Sequence, residues 1–303
     1  MINKLEELLK IKYEKKMKLA VVASQDHEVL EAVSEGANLN IIEPILIGDI
    51  NKTKKIAQKY NISINKWKTI DEPDLKKSAE IGVKLVSQGN ANFIMKGLVD
   101  TPTLMKEVLN KDYGLRTENL LSHTMIYETK NYYKFILLTD GGMNLIPNVD
   151  EKEKIINNAV KVGHALGMKK IKVACLAAKE KVDKKMIATL DAGELKKRYE
   201  EGKFEDGVIV DGPMALDLAV SKKAAQIKNY NSEVAGDADV FLVPNIEMGN
   251  GIGKSITYFA DGKSAGVIMG AKVPVVLVSR ADSHESKLYS IALGSLVSQH
   301  MTK

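Results

Sequence analysis

The sequence predicts an α/β protein, with room for two α/β domains facing each other. Three observations carry the α/β prediction. Short β-rich runs alternate with segments of helical period from end to end, the pattern that builds parallel βαβ units. Several runs are apolar without a break, as strands become when helices cover both faces of their sheet. There are also more such runs than one open sheet usually holds in a chain of 303 residues.

In chain order, strands are expected at residues 19–24, 44–48, 93–96, 135–139, 171–177, 207–210, 240–244 and 273–279. Each is a short run rich in Val, Ile, Leu or Phe, and most are bounded by Gly, Pro, Ser or a charge. Amphipathic stretches at 74–87, 150–166, 213–228 and 283–300 are expected to be helices. No Gly/Pro-rich linker marks a domain boundary and no internal repeat is visible.

Composition narrows the class. Hydrophobic residues make up 45% of the chain and charged residues 27%, with no long block of one sign. The net charge is +5, and of the 44 basic residues only three, Arg116, Arg198 and Arg280, are arginine. The lysines are scattered over helix faces rather than clustered with aromatics, so nucleic-acid binding is not expected. Residues 1–18 are charged throughout, without the apolar core of a secretory signal. No apolar run is long enough to span a bilayer. With a single cysteine, Cys175, there is no internal disulfide framework. A cytoplasmic protein is expected. The five histidines form no i,i+4 ligand pair, so no metal is expected. Cys175 sits inside an apolar run, where a buried and inert thiol is expected.

In open parallel sheets, ligands bind beyond the carboxyl ends of strands, and those junctions hold the candidate residues. The last reads Ser279-Arg280-Ala281-Asp282-Ser283-His284-Glu285 and opens the final helix. A helix N-terminus suits an anion, and the arginine adds a planar fork for phosphate oxygens. Equally, Arg280 could pair with Asp282 or Glu285 while Ser283 caps the helix. A second junction, Pro244 to Ser255, is glycine-rich. It is not a P-loop, because Met248 stands where the first glycine belongs, and its glycines are too closely spaced for a dinucleotide fingerprint. Two readings remain: a loop bringing amides close to phosphate or pantetheine, or a flexible turn.

At the third junction, Lys96, Gly97 and Thr101 could receive an anion, while Thr101 capping the next helix ahead of Pro102 is the simpler reading. Asp211-Gly212-Pro213 reads as a turn and helix start. Thr139-Asp140-Gly141-Gly142-Met143-Asn144 is similar.

Taken together these junctions resemble the phosphate acetyl/butaryl-transferase family over nearly the whole chain. The resemblance is carried by Lys96-Gly97 with Thr101, Leu121-Ser122-His123, Thr139-Asp140 with Asn144, and Asp211-Gly212-Pro213 with Leu216-Asp217. It continues through Ala235-Gly236-Asp237-Ala238-Asp239, Pro244 with Glu247 and Gly249-Asn250, and Ser279-Arg280-Ala281-Asp282-Ser283. The segment from Lys287 to Leu293 is closer to the butyryl branch.

The resemblance implies a fold similar to that of the isocitrate and isopropylmalate dehydrogenases, two α/β domains with a cleft between them: a first domain of residues 1–121 and 270–303 carrying the Ser-Arg motif, and a second of 122–269 carrying the Gly-Asn segment. It implies reversible transfer of a short acyl group between coenzyme A and phosphate in a ternary complex. Coenzyme A is then a substrate, with no bound cofactor or metal, and the protein is a homodimer or larger. Ser279, Arg280, Asp282 and Glu285 are the expected catalytic residues. Lys96, Gly97, Thr101, Asn144, Glu247, Gly249, Asn250, Lys254 and Ser283 are expected to bind phosphate and coenzyme A.

Two departures are visible. Ser286 stands where the acetyl branch carries an aspartate proposed as base, and Tyr258 where it carries an arginine. Rival readings are a non-catalytic sensor of acyl-CoA or acyl phosphate, a phosphate acetyltransferase, and a β-decarboxylating dehydrogenase. The last needs a run of substrate-binding arginines that a chain with three arginines does not supply.

Overall fold

A computed structural model describes residues 1–12, 16–279 and 282–302. The chain begins with α1 (Leu5–Leu8), β1 (Met17–Val22), α2 (His27–Asn38), β2 (Ile42–Gly48), α3 (Ile50–Lys59), β3 (Lys68–Asp71), α4 (Leu75–Ser87), β4 (Phe93–Lys96) and α5 (Thr101–Val108). It continues through β5 (Ser122–Glu128), β6 (Ile136–Thr139), α6 (Val149–Ala165), β7 (Ile171–Leu176), α7 (Ile187–Glu200) and β8 (Val208–Met214). It closes with α8 (Leu216–Val220), α9 (Lys222–Ile227), β9 (Val240–Leu242), α10 (Ile246–Phe259), β10 (Lys263–Met269), β11 (Val275–Val276) and α11 (His284–Met301). Two compact units result: a first of residues 5–119 and 265–303, and a second of residues 1–4 and 120–264.

In the first unit the strand order is β3-β2-β1-β4-β11-β10. Every pair from β3 to β11 is parallel, and only β10 runs antiparallel to β11. The helices between parallel strands start the same way. Asp26, Asp49, Asp74 and Asp100 each leave the preceding segment in extended conformation and accept the amide three residues on, capping α2, α3, α4 and α5. Each cap fixes where a strand end gives way to a helix, and so fixes the rim on which ligands would sit. α11 is apolar on nearly every side, and Leu288, Tyr289, Ile291, Ala292, Leu293 and Val297 are all buried. A helix without a polar face belongs in a core, and this one packs against α2, β4 and β11.

In the second unit the order is β5-β6-β9-β7-β8, with β5 antiparallel to β6 and the rest parallel. Its core includes Leu138, Leu176, Met214, Leu218, Val234 and Phe241. On the side where β9 begins, Lys134 and Lys172 clasp Asp237, at 2.6 and 2.5 Å. Burial alone would raise the Asp237 carboxyl. The two ammoniums and the Tyr133 hydroxyl overcome that and hold it well below the usual carboxylate range.

Several expectations need correction. Residues 213–228 are not one helix: β8 runs on through Gly212 and Pro213 to Met214, so Asp211-Gly212-Pro213 is strand rather than a turn and helix start. β8 lies at the end of its unit's strand order, where proline costs no ladder hydrogen bond. Helix follows only as α8 and α9, separated at Ser221, which caps α9. The expected strand at 273–279 shortens to Val275–Val276. Strands β3, β5 and β10 were not expected.

Candidate active site

The site is built on the first unit, at the carboxyl ends of β1, β4 and β11. β4 ends on Lys96, and the chain then crosses the end of β1, with Gly97 N donating to Val22 O at 2.8 Å and Leu98 N to Ala23 O at 2.8 Å. A side chain at position 97 would place its Cβ 2.3 Å from the Ala23 carbonyl oxygen, so only glycine allows the crossing. Lys96 is buried and folds over this turn, donating to the carbonyls of Gly97 at 3.1 Å and Val99 at 3.2 Å. One cleft brings Lys96 and Gly97 together with Ser279, Lys287, Asp26 and Glu28.

Ser279 is held by a closed turn. Its amide donates to Asp282 Oδ2 at 2.7 Å, and the Asp282 amide returns to the Ser279 carbonyl at 3.1 Å. Arg280 and Ala281 lie outside the described residues. Ser283 is the N-cap of α11, its Oγ accepting from the Ser286 amide at 3.1 Å, and the Ser286 hydroxyl also lies 3.1 Å from that Oγ. Glu285 Oε1 accepts from the Tyr289 hydroxyl at 2.9 Å. Lys287, one turn into α11, is almost fully buried. It reaches Glu28 Oε2 at 2.6 Å and donates to the Asp282 carbonyl. Lys96 and Lys287 both line this cleft at the strand ends, Lys287 already answered by Glu28, beside the N-terminal turn of an 18-residue helix. The Lys96 ammonium and the helix dipole are the features there that suit an oxyanion.

Thr101 is not the cap of α5. Asp100 takes that role, accepting from Thr103 N at 2.9 Å, and Thr101 is the first helical residue. An aspartate offers a stronger acceptor at that position, which is why the Asp-Thr-Pro sequence shifts the cap back by one residue.

The remaining candidates belong to the second unit. The glycine-rich segment is helix rather than loop: Asn245 caps α10, and Glu247, Gly249, Asn250 and Lys254 all lie within it. The Gly249 amide is spent inside the helix on the Asn245 carbonyl. A Cβ at Gly249 would come within 2.6 Å of Gly141 Cα, so this glycine serves close backbone packing and not an anion. Glu247, Asn250 and Lys254 are exposed. Asn144 donates through Nδ2 to Leu121 O at 2.8 Å and to Asp140 Oδ2 at 2.6 Å. Asp140, buried, also receives the amides of Gly142 at 2.8 Å and Met143 at 2.9 Å. Tyr258 is largely exposed near the end of α10.

Cys175 is buried, and burial first, with the Asp211 charge second, pushes its thiol far above the ordinary range. Such a thiol carries no acyl group at neutral pH. Among the described residues no group of three or more His, Cys, Asp or Glu could hold a metal ion. Nor is any helix among them long and apolar enough to cross a membrane.

The sequence had not singled out Asp26 or Glu28, and had noted Lys287 only for its branch resemblance. The signal for the first two was available: Ser24-Gln25-Asp26-His27-Glu28 is a strand-to-helix junction like the others, directly after the β1 run.

The chain is similar to known proteins over nearly its whole length. The model of a family described as phosphate acetyl/butaryl transferase matches residues 72–295. A phosphate butyryltransferase of Clostridium acetobutylicum is 46% identical over 292 residues, covering 96% of this chain and 97% of the relative. A phosphate acetyltransferase of Thermotoga maritima is 39% identical over 295 residues, covering 96% and 99%. The crystal structure of a branched-chain phosphotransacylase from Enterococcus faecalis V583 matches with a TM-score of 0.81 at 33% identity, covering 92% of this chain and 99% of that one.

Proposed function

Since the chain belongs to the phosphate acetyl/butaryl transferase family, we propose that it transfers a short acyl group reversibly between coenzyme A and inorganic phosphate, with butyryl the preferred group. The observation that carries the site assignment is the meeting of Lys96, Gly97, Ser279 and Lys287 around one cleft at the strand ends of the first unit.

Chemistry follows from those groups. A phosphate oxygen attacks the thioester carbonyl carbon, the C–S bond breaks, and coenzyme A leaves as a thiolate. Two anions must be held together and charge on the carbonyl oxygen must be neutralised. In this reading the Arg280 guanidinium takes the phosphate, the Ser279 hydroxyl donates to the reacting carbonyl oxygen or the sulfur, and Lys96 with the first turn of α11 supplies positive potential. No side-chain base is required, because a thiol of pKa about 8.5 departs readily as the anion near neutral pH. Asp282 and Glu285 are otherwise engaged, one bracing the Ser279 amide and the other accepting from Tyr289. Transfer is direct, within a ternary complex, and uses no bound cofactor. The working form is a cytoplasmic homodimer or larger homo-oligomer. Glu247, Asn250 and Lys254, exposed on α10 of the second unit, are proposed to bind phosphate or coenzyme A.

The butyryl preference is supported by the greater identity to the butyryltransferase than to the acetyltransferase. Thiol release measured with phosphate and acyl-CoA esters from acetyl to hexanoyl tests it. The butyryl ester or a neighbouring short or branched one is expected to give the highest kcat/KM. An acetyl ester ahead by about tenfold, some 1.4 kcal/mol in the transition state, would reassign the preference.

A further inference from the structure

We propose that Glu28 and Lys287 act as a positioning pair, through which helix α2 holds the Ser279 turn in register with the anion site. The proposal rests on the acyltransferase reading above.

The Lys287 side chain is 3% exposed and that of Glu28 49%, so the pair runs from the core of the first unit to its surface. A lysine is almost never buried this fully unless its charge is answered. Two groups answer it, the Glu28 carboxylate at 2.6 Å and the Asp282 carbonyl. Asp282 is also the residue that closes the turn on Ser279 from both sides, through its side chain and its amide. A shift of the Asp282 carbonyl therefore carries Ser279 with it. The reference point is α2, which is capped by Asp26 and packed against α11 where Gly36 meets Ile291. Farther along the same two helices, His284 Nε2 lies 2.6 Å from Glu35 Oε2.

Stability alone does not call for this arrangement. An ion pair drawn into a protein interior roughly recovers its desolvation cost, and an apolar pair of similar volume does as well or better. What the charged pair adds is direction: an ammonium whose donors are fixed by Glu28 places the carbonyl of Asp282, which an apolar contact would leave free to slide. Misplacing a reacting group by about an ångström costs on the order of 100-fold in rate.

The test uses the full chain, with butyryl-CoA and phosphate as substrates. Wild-type thiol release tests the transferase reading by itself, so losses confined to the variants report on positioning. Glu28→Gln keeps the shape of a half-exposed side chain but leaves the buried Lys287 ammonium a neutral acceptor, so the unfolding midpoint is expected to fall. Assayed where the variant is fully folded, its kcat is expected to be about tenfold lower, with KM for butyryl-CoA within about twofold. Lys287→Met is expected to lower kcat about 100-fold, Lys287→Arg to recover part of that loss, and the Glu28→Gln/Lys287→Met double variant to be no slower than Lys287→Met alone. Wild-type kcat in Glu28→Gln overturns the proposal, as do losses that multiply in the double variant. Because Glu28→Gln alone decides the matter, the proposal stays open to refutation even if Lys287→Met does not fold.

Discussion

Replacing Arg280 with lysine is expected to slow phosphate-dependent thiol release by about 100-fold or more, the scale of losing one preorganised donor at a developing charge. Guanidinium offers two parallel N–H groups to two phosphate oxygens, and it orients the anion as well as attracting it. Lysine keeps the charge but offers a compact point donor without that planar fork. Phosphate would then still enter, and the loss should fall mainly on kcat. Stability should hardly move, since Ser279 and Asp282 brace one another through the Ser279 amide and the Asp282 carboxylate. Steady-state kinetics over a phosphate series, alongside a denaturant titration, separates the two effects. Full activity in Arg280→Lys would remove this residue from the phosphate site.

Asp140→Ala should do the opposite, acting mainly on stability. The buried carboxylate of Asp140 accepts from the amides of Gly142, Met143 and Asn144 and from the Asn144 side chain. Alanine would remove the shared acceptor from four donors in a turn that is only partly buried, Gly142 being exposed and Met143 and Asn144 half-buried. Water can answer part of that loss, so the total should be about 2 kcal/mol, below the sum for fully buried groups. Asp140→Asn, retaining one acceptor oxygen, should lose about half as much. Urea unfolding of the three proteins checks the order. An Asp140→Ala variant as stable as wild type would show that this hydrogen-bonded turn is not what holds β6 to the start of α10.

The apolar strands were legible because burial on both faces leaves an unbroken hydrophobic run, as in Phe93-Ile94-Met95 and Val240-Phe241-Leu242. β3 was not, because Lys68-Thr69-Ile70-Asp71 is a short edge strand, mostly exposed, with no core to mark it. β5 was missed for a related reason. Its residues alternate between buried and half-buried, and Ser122, His123 and Thr124 read as loop. α10 misled in the other direction. Three glycines in one helix work against intrinsic propensity by about 1 kcal/mol each, and tertiary contacts explain two of them, Gly251 facing open space. Gly249 meets Gly141, and Gly253 meets the Tyr127 hydroxyl, where a Cβ would lie 2.4 Å away. Glycine that looks like a loop in one dimension is close packing in three.

Of the candidate site, strand-end logic alone located Lys96, Gly97 and Ser279, since each stands at or directly after an apolar run. The partners that anchor them were beyond its reach. Glu28 and Lys287 are separated by most of the chain, and only the packing of α2 on α11 makes them neighbours. Asp100 was hidden by the more conspicuous Thr-Pro that follows it.

The central claim is that a phosphate oxygen, delivered at these strand ends, takes the acyl group directly from coenzyme A. Incubating the protein with butyryl-CoA and phosphate, and following phosphorus-31 resonances together with free thiol, tests it most directly. The account predicts that butyryl phosphate and thiol accumulate in equal amounts and that both stop when phosphate is withheld. Thiol appearing at the same rate without phosphate, or tight binding of butyryl-CoA with no thiol at any phosphate concentration, would contradict it.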